Sequence, residues 1–156
     1  MAIEIERKFL VSGDDWRGDA CQARRLSQFY LASGEDRTVR VRIVDDRTAL
    51  LTMKFGPGSL IRHEFEYPVP LADARAMRRF ALGRVIDKTR HLVAAGRLVF
   101  DVDEFHGPLA GLVTAELESP DAVAVRDLPS WIGREVTDNP AYLNSALALR
   151  GLPEFA

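Results

Sequence analysis

Short runs in which apolar and polar residues alternate recur along most of this chain. At the N-terminus, IEIERKF sets Ile3, Ile5 and Phe9 between Glu4, Glu6 and Lys8. Successive side chains of a strand point to opposite faces of a sheet, so a period of two predicts a strand. The pattern returns in ARRLSQFYL (23–31), where Gln28 and Tyr30 oppose Phe29 and Leu31. In TVRVRIV (38–44), Arg40 and Arg42 oppose Val39, Val41 and Ile43, and TALLTMK (48–54) puts Thr52 and Lys54 in one phase. LIRHEFEYPVP sets Arg62, Glu64 and Glu66 against Ile61, His63, Phe65 and Tyr67. GRVIDKTRHLV carries Lys88 and Arg90 in phase, RLVFDVDEFHG carries Asp101 and Asp103, and GLVTAELES carries Glu116 and Glu118.

Turn-forming stretches such as SGEDR, VDDRT and FGPGS separate these runs. LADARAMRRFAL (71–82) breaks the rhythm, because Leu71, Ala74, Met77 and Phe80 recur at helical spacing and predict an amphipathic helix. The tail reads as a short helical or turn region around Trp131, followed by a helix that starts near Pro140 and stops at Gly151. The pattern thus predicts about eight strands and two or three helices. Most connections are too short for a parallel crossover, so the strands pair antiparallel. The expected fold class is mainly β (α+β), an eight-stranded antiparallel closed β-barrel with a few helices packed outside, in one domain spanning residues 1–156.

The polar phase of these strands is segregated by sign. Acid stands beside acid in Glu4/Glu6, Glu64/Glu66, Asp101/Asp103 and Glu116/Glu118, and base beside base in Arg40/Arg42 and Lys88/Arg90. For one pair alone, a solvated sheet face is the better explanation. Repetition over six strands is harder to explain that way, since like charges two apart on one face repel unless cross-strand partners or bound ions relieve them. If the sheet closes into an eight-stranded barrel, the polar phase lines a narrow lumen. Eight acids and six bases would then face one another, counting Lys8 and Lys54. Burying so many ions with nothing between them is costly. A hydrated lumen holding a polyphosphate and a divalent metal ion resolves the cost.

Composition narrows the alternatives. The 21 Lys and Arg against 23 Asp and Glu leave a formal charge of −2, so no global basic field points to nucleic acid. Cys21 stands alone, which excludes an internal disulfide and a cysteine-built metal site and fits a reducing cytoplasm. No stretch approaches the ~20 apolar residues of a membrane helix, and acids at positions 4 and 6 do not suit a signal peptide. Apolar surface left on the outer phase would admit a homodimer.

Clustered carboxylates are hard oxygen donors suited to Mg²⁺ or Mn²⁺, one ion or two. Arg and Lys clusters suit phosphate oxygens. Together they describe metal-assisted phosphoryl chemistry. Neither a GxxxxGK[ST] loop nor a GxGxxG turn occurs. His106, in the FHGP turn, reads as a solvated or capping residue, and His63 has the wrong parity for the lumen.

Glu4-x-Glu6-x-Lys8 resembles the ExExK motif of the CYTH family, the triphosphate tunnel metalloenzymes. TVRVR, TMK, HEFEYPVP, KTR, FDVDEFHGPLAGL, AELE and GREVTDNPAYLNSALA follow in the family's order and extend the resemblance over nearly the whole chain. The resemblance implies an antiparallel tunnel, open at both ends, that binds a triphosphate with Mg²⁺ or Mn²⁺. It makes Glu4, Glu6, Glu116 and Glu118 metal ligands and gives Lys8, Arg40, Arg42, Lys54, Lys88 and Arg90 to phosphate. Glu64, Glu66, Asp101 and Asp103 would serve a second metal, orient the attacking water or brace the bases. Tyr30 would lie near Lys8 across neighbouring strands, either as a proton-handling pair or as a tunnel-lining hydroxyl. Two departures from the family pattern, Phe55 after TMK and His91 after KTR, are expected at the tunnel rim. Inorganic tripolyphosphate is the favoured substrate, since no appended domain is evident for a base or a thiazole ring. Adenylate cyclase, thiamine or nucleoside triphosphatase, and a non-catalytic polyphosphate binder are the alternatives.

Overall fold

Each alternating segment forms a strand in the computed structural model, which describes residues 5–56, 63–119 and 122–153. The strands are β1 (Ile5–Val11), β2 (Ala20–Ser33), β3 (Arg37–Val44), β4 (Thr48–Phe55), β5 (His63–Val69), β6 (Leu82–Ala95), β7 (Leu98–Phe105), β8 (Val113–Ser119) and β9 (Ile132–Glu135). Two helices, α1 (Leu71–Met77) and α2 (Asn144–Arg150), join them. Glu4 and Arg62 lie outside the described residues, as do Pro57 to Ser59 of the FGPGS turn.

The strands form one antiparallel sheet in the order β5-β4-β3-β2-β6-β7-β8-β1-β9. Eight of them are the strands expected from the alternation. The ninth, β9, comes from the tail read as helix or turn. It pairs with β1 where Gly133 lets the two backbones close, since a Cβ there would stand 2.9 Å from the Leu10 carbonyl oxygen. Four residues are too few to show a period, so the alternation could not reveal this strand. Among the described residues no ladder joins β5 to β9, so the barrel is a curled sheet with two edges rather than a hydrogen-bonded ring. The curl still brings Lys54 of β4 within electrostatic reach of Glu6 on β1.

The apolar phase faces outward and is covered in two places. Phe9, Val93, Phe100, Val102, Ala115 and Leu117 pack beneath Trp16, from a 3₁₀ turn at Asp15–Asp19, and Trp131. Phe29, Val41, Ile43 and Ala49 pack beneath α1 through Ala74, flanked by Leu71 and Met77. The helix expected to run to Leu82 is shorter, because a 3₁₀ turn at Arg78–Phe80 ends it and Leu82 already begins β6. Fully burying one such aliphatic or aromatic side chain contributes about 1.5–3 kcal/mol, so these outer cores hold the curl against charge repulsion inside.

A third cluster lies on the inner phase. Leu147 and Ala148 of α2 pack on Tyr30, Ile86, Phe105 and Leu109, so α2 covers one part of the concave face. Its seat is a β-bulge. The β2–β6 pairing passes from Gln28↔Ile86 to Tyr30↔Leu82, and Gly83 within the bulge has φ of +65°. Arg84 donates to the carbonyl oxygens of Leu147 and Ala148, at 3.0 and 3.4 Å, near the helix C-terminus. Among the described residues no helix is long and apolar enough to cross a membrane.

A Cβ at Gly83 would stand 2.3 Å from the Ala148 carbonyl oxygen, on top of its left-handed strain. Gly83→Ala should therefore cost about 2–4 kcal/mol and lower the melting temperature by roughly 5–10 °C. Gly96→Ala shares the strain, at φ +62°, but meets nothing within 4 Å and should cost far less. Equal losses in a thermal melt would remove α2 from the explanation.

Candidate functional site

Cross-strand register resolves much of the charge segregation. Lys8 lies opposite Glu116, Arg90 opposite Asp103, and Lys54 opposite Glu64, so like charges along a strand meet unlike charges across it. Three pairings break the rule: Arg24 lies opposite Arg90, Glu6 opposite Glu118, and Asp101 opposite Glu116. The two acidic pairings fall on β7, β8 and β1. The concave face thus has an acidic corner on these strands and a basic wall on β3, β4 and β6.

The base of the site is an ion cluster around Asp103. Lys88 Nζ donates to Asp103 Oδ2 at 2.7 Å, with both side chains almost fully buried. Arg90 grips the same carboxylate with two bonds of 2.8 and 2.9 Å. Burial alone would raise Asp103, but Lys88 and Arg90 hold it well below the usual carboxylate range. The two cations share Asp103, and Arg90 also lies 3.9 Å from Asp101 and 3.8 Å from Glu116. Burial, aided by Arg90 and Arg42, pushes Lys88 down to about 8 despite Asp103. Lys88 also reaches Asn144 Oδ1 of α2 at 3.3 Å.

The arginines of β3 are held differently. Arg42 donates two bonds, 2.9 and 2.7 Å, to the Oε1 of Gln28, a neutral acceptor that is completely buried. Burial first, then Arg40 and Arg90, pushes Arg42 down to about 10, leaving it charged at neutral pH. Arg40 reaches Thr52 Oγ1 at 3.5 Å, and Thr52 in turn donates to Glu66 Oε2 at 2.9 Å. The buried Nε of Arg40 has no hydrogen-bond partner among the described residues.

Between wall and corner lies a cavity of about 90 Å³ lined by Glu6, Lys8, Tyr30, Arg40, Lys54 and Glu116, together with Thr38, Thr52 and Leu143–Ser145. Lys8 Nζ stands 3.5 Å from Glu116 and donates to the Tyr142 carbonyl oxygen at 3.1 Å. Burial and the neighbouring Glu116 raise Glu6, against the pull of Lys54, Lys8 and Arg90. Asp101 is also raised, by burial and by Asp103 and Glu116, although Arg90 opposes this. Glu116 is lowered: burial works against it, but Lys8, Arg90 and Lys88 prevail. Carboxylates that face one another and rise in pKa are a fitting donor set for a hard divalent cation. Among the described residues no group of three His, Cys, Asp or Glu side chains is placed to hold a metal ion.

Most of the residues singled out in the sequence therefore converge. Lys8, Arg40, Arg42, Lys54, Lys88, Arg90, Glu6, Asp101, Asp103 and Glu116 share the concave face, and Glu118 and Glu64 hold register positions beside them. Glu64 and Glu66 lie on the exposed edge strand β5. Tyr30 and Lys8 line the same cavity, but not across neighbouring strands, because β6, β7 and β8 separate β2 from β1. The bulge at Tyr30 and the curl bring them to one cavity. His91 is not at a tunnel rim: it meets Trp16 edge-to-face outside the sheet and contacts Glu104 at 3.3 Å. His106 bonds Thr89, and His63 begins the exposed edge strand. Gln28, Thr52, Asn144 and the Tyr142 carbonyl were not foreseen. Gln28 and Thr52 already sat in the polar phase, whereas nothing periodic marks 142–145.

Removing Asp103 would leave two buried cations facing each other. Asp103→Asn should cost about 3–5 kcal/mol in urea denaturation at pH 7. Because Asp103 is depressed in the folded state, its contribution is complete above its ordinary value near 3.8 and fades as pH falls below that. The variant should accordingly show a flatter loss of stability below pH 4, and an unchanged pH curve would contradict this role.

Comparison with known proteins agrees with this geometry. The family model described as the CYTH domain matches residues 2–147. An inorganic triphosphatase of Acetivibrio thermocellus is 41% identical, over 94% of this chain and 94% of its own length. One of Nitrosomonas europaea is 34% identical, over 94% of this chain and 97% of its own. The crystal structure of the inorganic triphosphatase NE1496 superposes with a TM-score of 0.75 at 30% identity, covering 98% of this chain and 99% of that one. With its alternating charged strands, curled sheet and opposed acidic and basic walls, the chain belongs to the CYTH family.

Proposed function

We propose that this protein hydrolyses inorganic tripolyphosphate to pyrophosphate and phosphate, using Mg²⁺ or Mn²⁺, as a cytoplasmic enzyme. The reading rests on one observation above all: an acidic corner and a surplus of buried cations face each other across a narrow cavity. Relatives identified as inorganic triphosphatases support it.

Arg40, Arg42, Lys54, Lys88 and Arg90 hold the phosphate chain. Arg42 presents its planar guanidinium from Gln28, and Lys88 acts as a point charge on Asp103. Glu6, Glu116 and Glu118, with Glu4, would hold the metal, with Asp101 beside Glu116. When bound, a divalent ion neutralises charge on the phosphate oxygens. Asp103 braces the bases, since both its oxygens are engaged by Lys88 and Arg90. Glu64 and Glu66 orient the attacking water from the open edge. Water attacks the terminal phosphorus in line, the bridging P–O bond breaks, and pyrophosphate leaves. Lys8, held by Tyr142 and Glu116, and Tyr30 manage the protons released at that centre.

Phosphate release should be strong from tripolyphosphate, weaker from ATP and thiamine triphosphate, and absent with chelator. Tight binding without release from any of the three would make this a polyphosphate binder. Glu6→Gln should lower metal-dependent turnover by about a hundredfold, whereas Arg42→Ala should raise KM by about ten- to a hundredfold with little change in kcat. Normal kinetics in both variants would sink the site assignment.

The pH profile gives a separate check. Lys88 is charged below about 8 and neutral above it in the free enzyme, and only the charged form attracts phosphate. Since kcat/KM reports groups of the free enzyme, it should fall as pH rises through about 8. A profile flat to pH 9.5 would exclude Lys88 as the titrating group.

A further inference from the structure

The cations of this site are of two electrostatic kinds, and the difference follows from their anchors. Lys88 and Arg90 are both bonded to the Asp103 carboxylate, and their charge is partly cancelled there. The β3 arginines bond neutral acceptors instead: Arg42 the amide oxygen of Gln28, Arg40 the Thr52 hydroxyl. Gln28 is completely buried, lies directly opposite Arg42 in the β2–β3 ladder, and accepts both bonds from one guanidinium on its single Oε1. Its own amide nitrogen is buried with no hydrogen-bond partner among the described residues. Such an orphan donor costs about 1–3 kcal/mol. A buried glutamate would fill the same volume, remove that orphan and pair with Arg42, yet the chain carries glutamine.

We infer that Gln28 is a positioning residue that fixes the Arg42 guanidinium while leaving its full charge available to the anionic substrate. A carboxylate at 28 would hold the same geometry and cancel the charge that phosphate needs. An apolar side chain would keep the charge but lose the aim. Glutamine is the side chain of this length that supplies an acceptor without supplying a charge. The site can thereby bind a highly charged chain with the β3 arginines, while the clamped pair on β6 serves as a rigid base. This inference rests on the triphosphatase reading for its substrate, but its test does not need turnover.

The experiment compares Gln28→Glu and Gln28→Leu with wild type by calorimetric titration of tripolyphosphate, with chelator and with Mg²⁺, alongside thermal melts and steady-state kinetics. Gln28→Glu should bind at least tenfold more weakly, with KM raised in proportion, kcat within about threefold, and a melting temperature equal to or above wild type. Gln28→Leu should also bind more weakly, with a lower melting temperature. Wild-type affinity in a folded Gln28→Glu variant would overturn the inference, as would a loss of affinity that only tracks a loss of stability. If wild type binds tripolyphosphate without cleaving it, the hydrolase reading falls and the Gln28 comparison still decides. If wild type cleaves it and Gln28→Glu binds equally well, the role of Gln28 falls and the hydrolase reading stands.

Discussion

The Asp103 carboxylate, shared between Lys88 and Arg90, is the contact on which the interior depends. A concave face that gathers so many cations would unfold itself unless some of the charge were tied down. Asp103 ties down Lys88 and Arg90 together, with Asp101 and Glu116 standing farther off, 3.9 and 3.8 Å from Arg90. The outer cores under Trp16 and under α1 supply the compensating stability without entering the cavity.

The acidic corner expresses the same logic with the opposite sign. Glu6 against Glu118 and Asp101 against Glu116 are unfavourable pairings in the absence of a cation. They sit on adjacent strands because β1 pairs with β8, although the two are far apart in the chain. Strain of this kind, localised and directed at one point, marks a place where a ligand completes the structure.

The parity of the strands, and with it the convergence of the charged residues, was legible in the sequence because a period of two is a property of neighbours. Arg40 and Arg42 declare their face through Val39, Val41 and Ile43. What parity could not give was distance around the sheet. Lys8 and Tyr30 were expected on adjoining strands, yet three strands intervene and only curvature brings them together. His91 was assigned to a rim by its place after a motif, while its phase sends it outward to Trp16. The contribution of Tyr142 and Asn144 was invisible for a different reason. A backbone carbonyl and the first residue of a short helix carry no pattern, and their value arises only from where α2 docks.

That docking joins segments made at very different times. Lys8 reaches its acceptor at Tyr142 across 134 positions of sequence, and Lys88 reaches Asn144 across 56. During synthesis the first strand emerges long before the segment that completes its surroundings, so a half-made chain has the charges of the cavity without the piece that orders two of its lysines. Residues 142–144 must leave the ribosome before the cavity is complete, and folding governed by such distant partners is intrinsically slow.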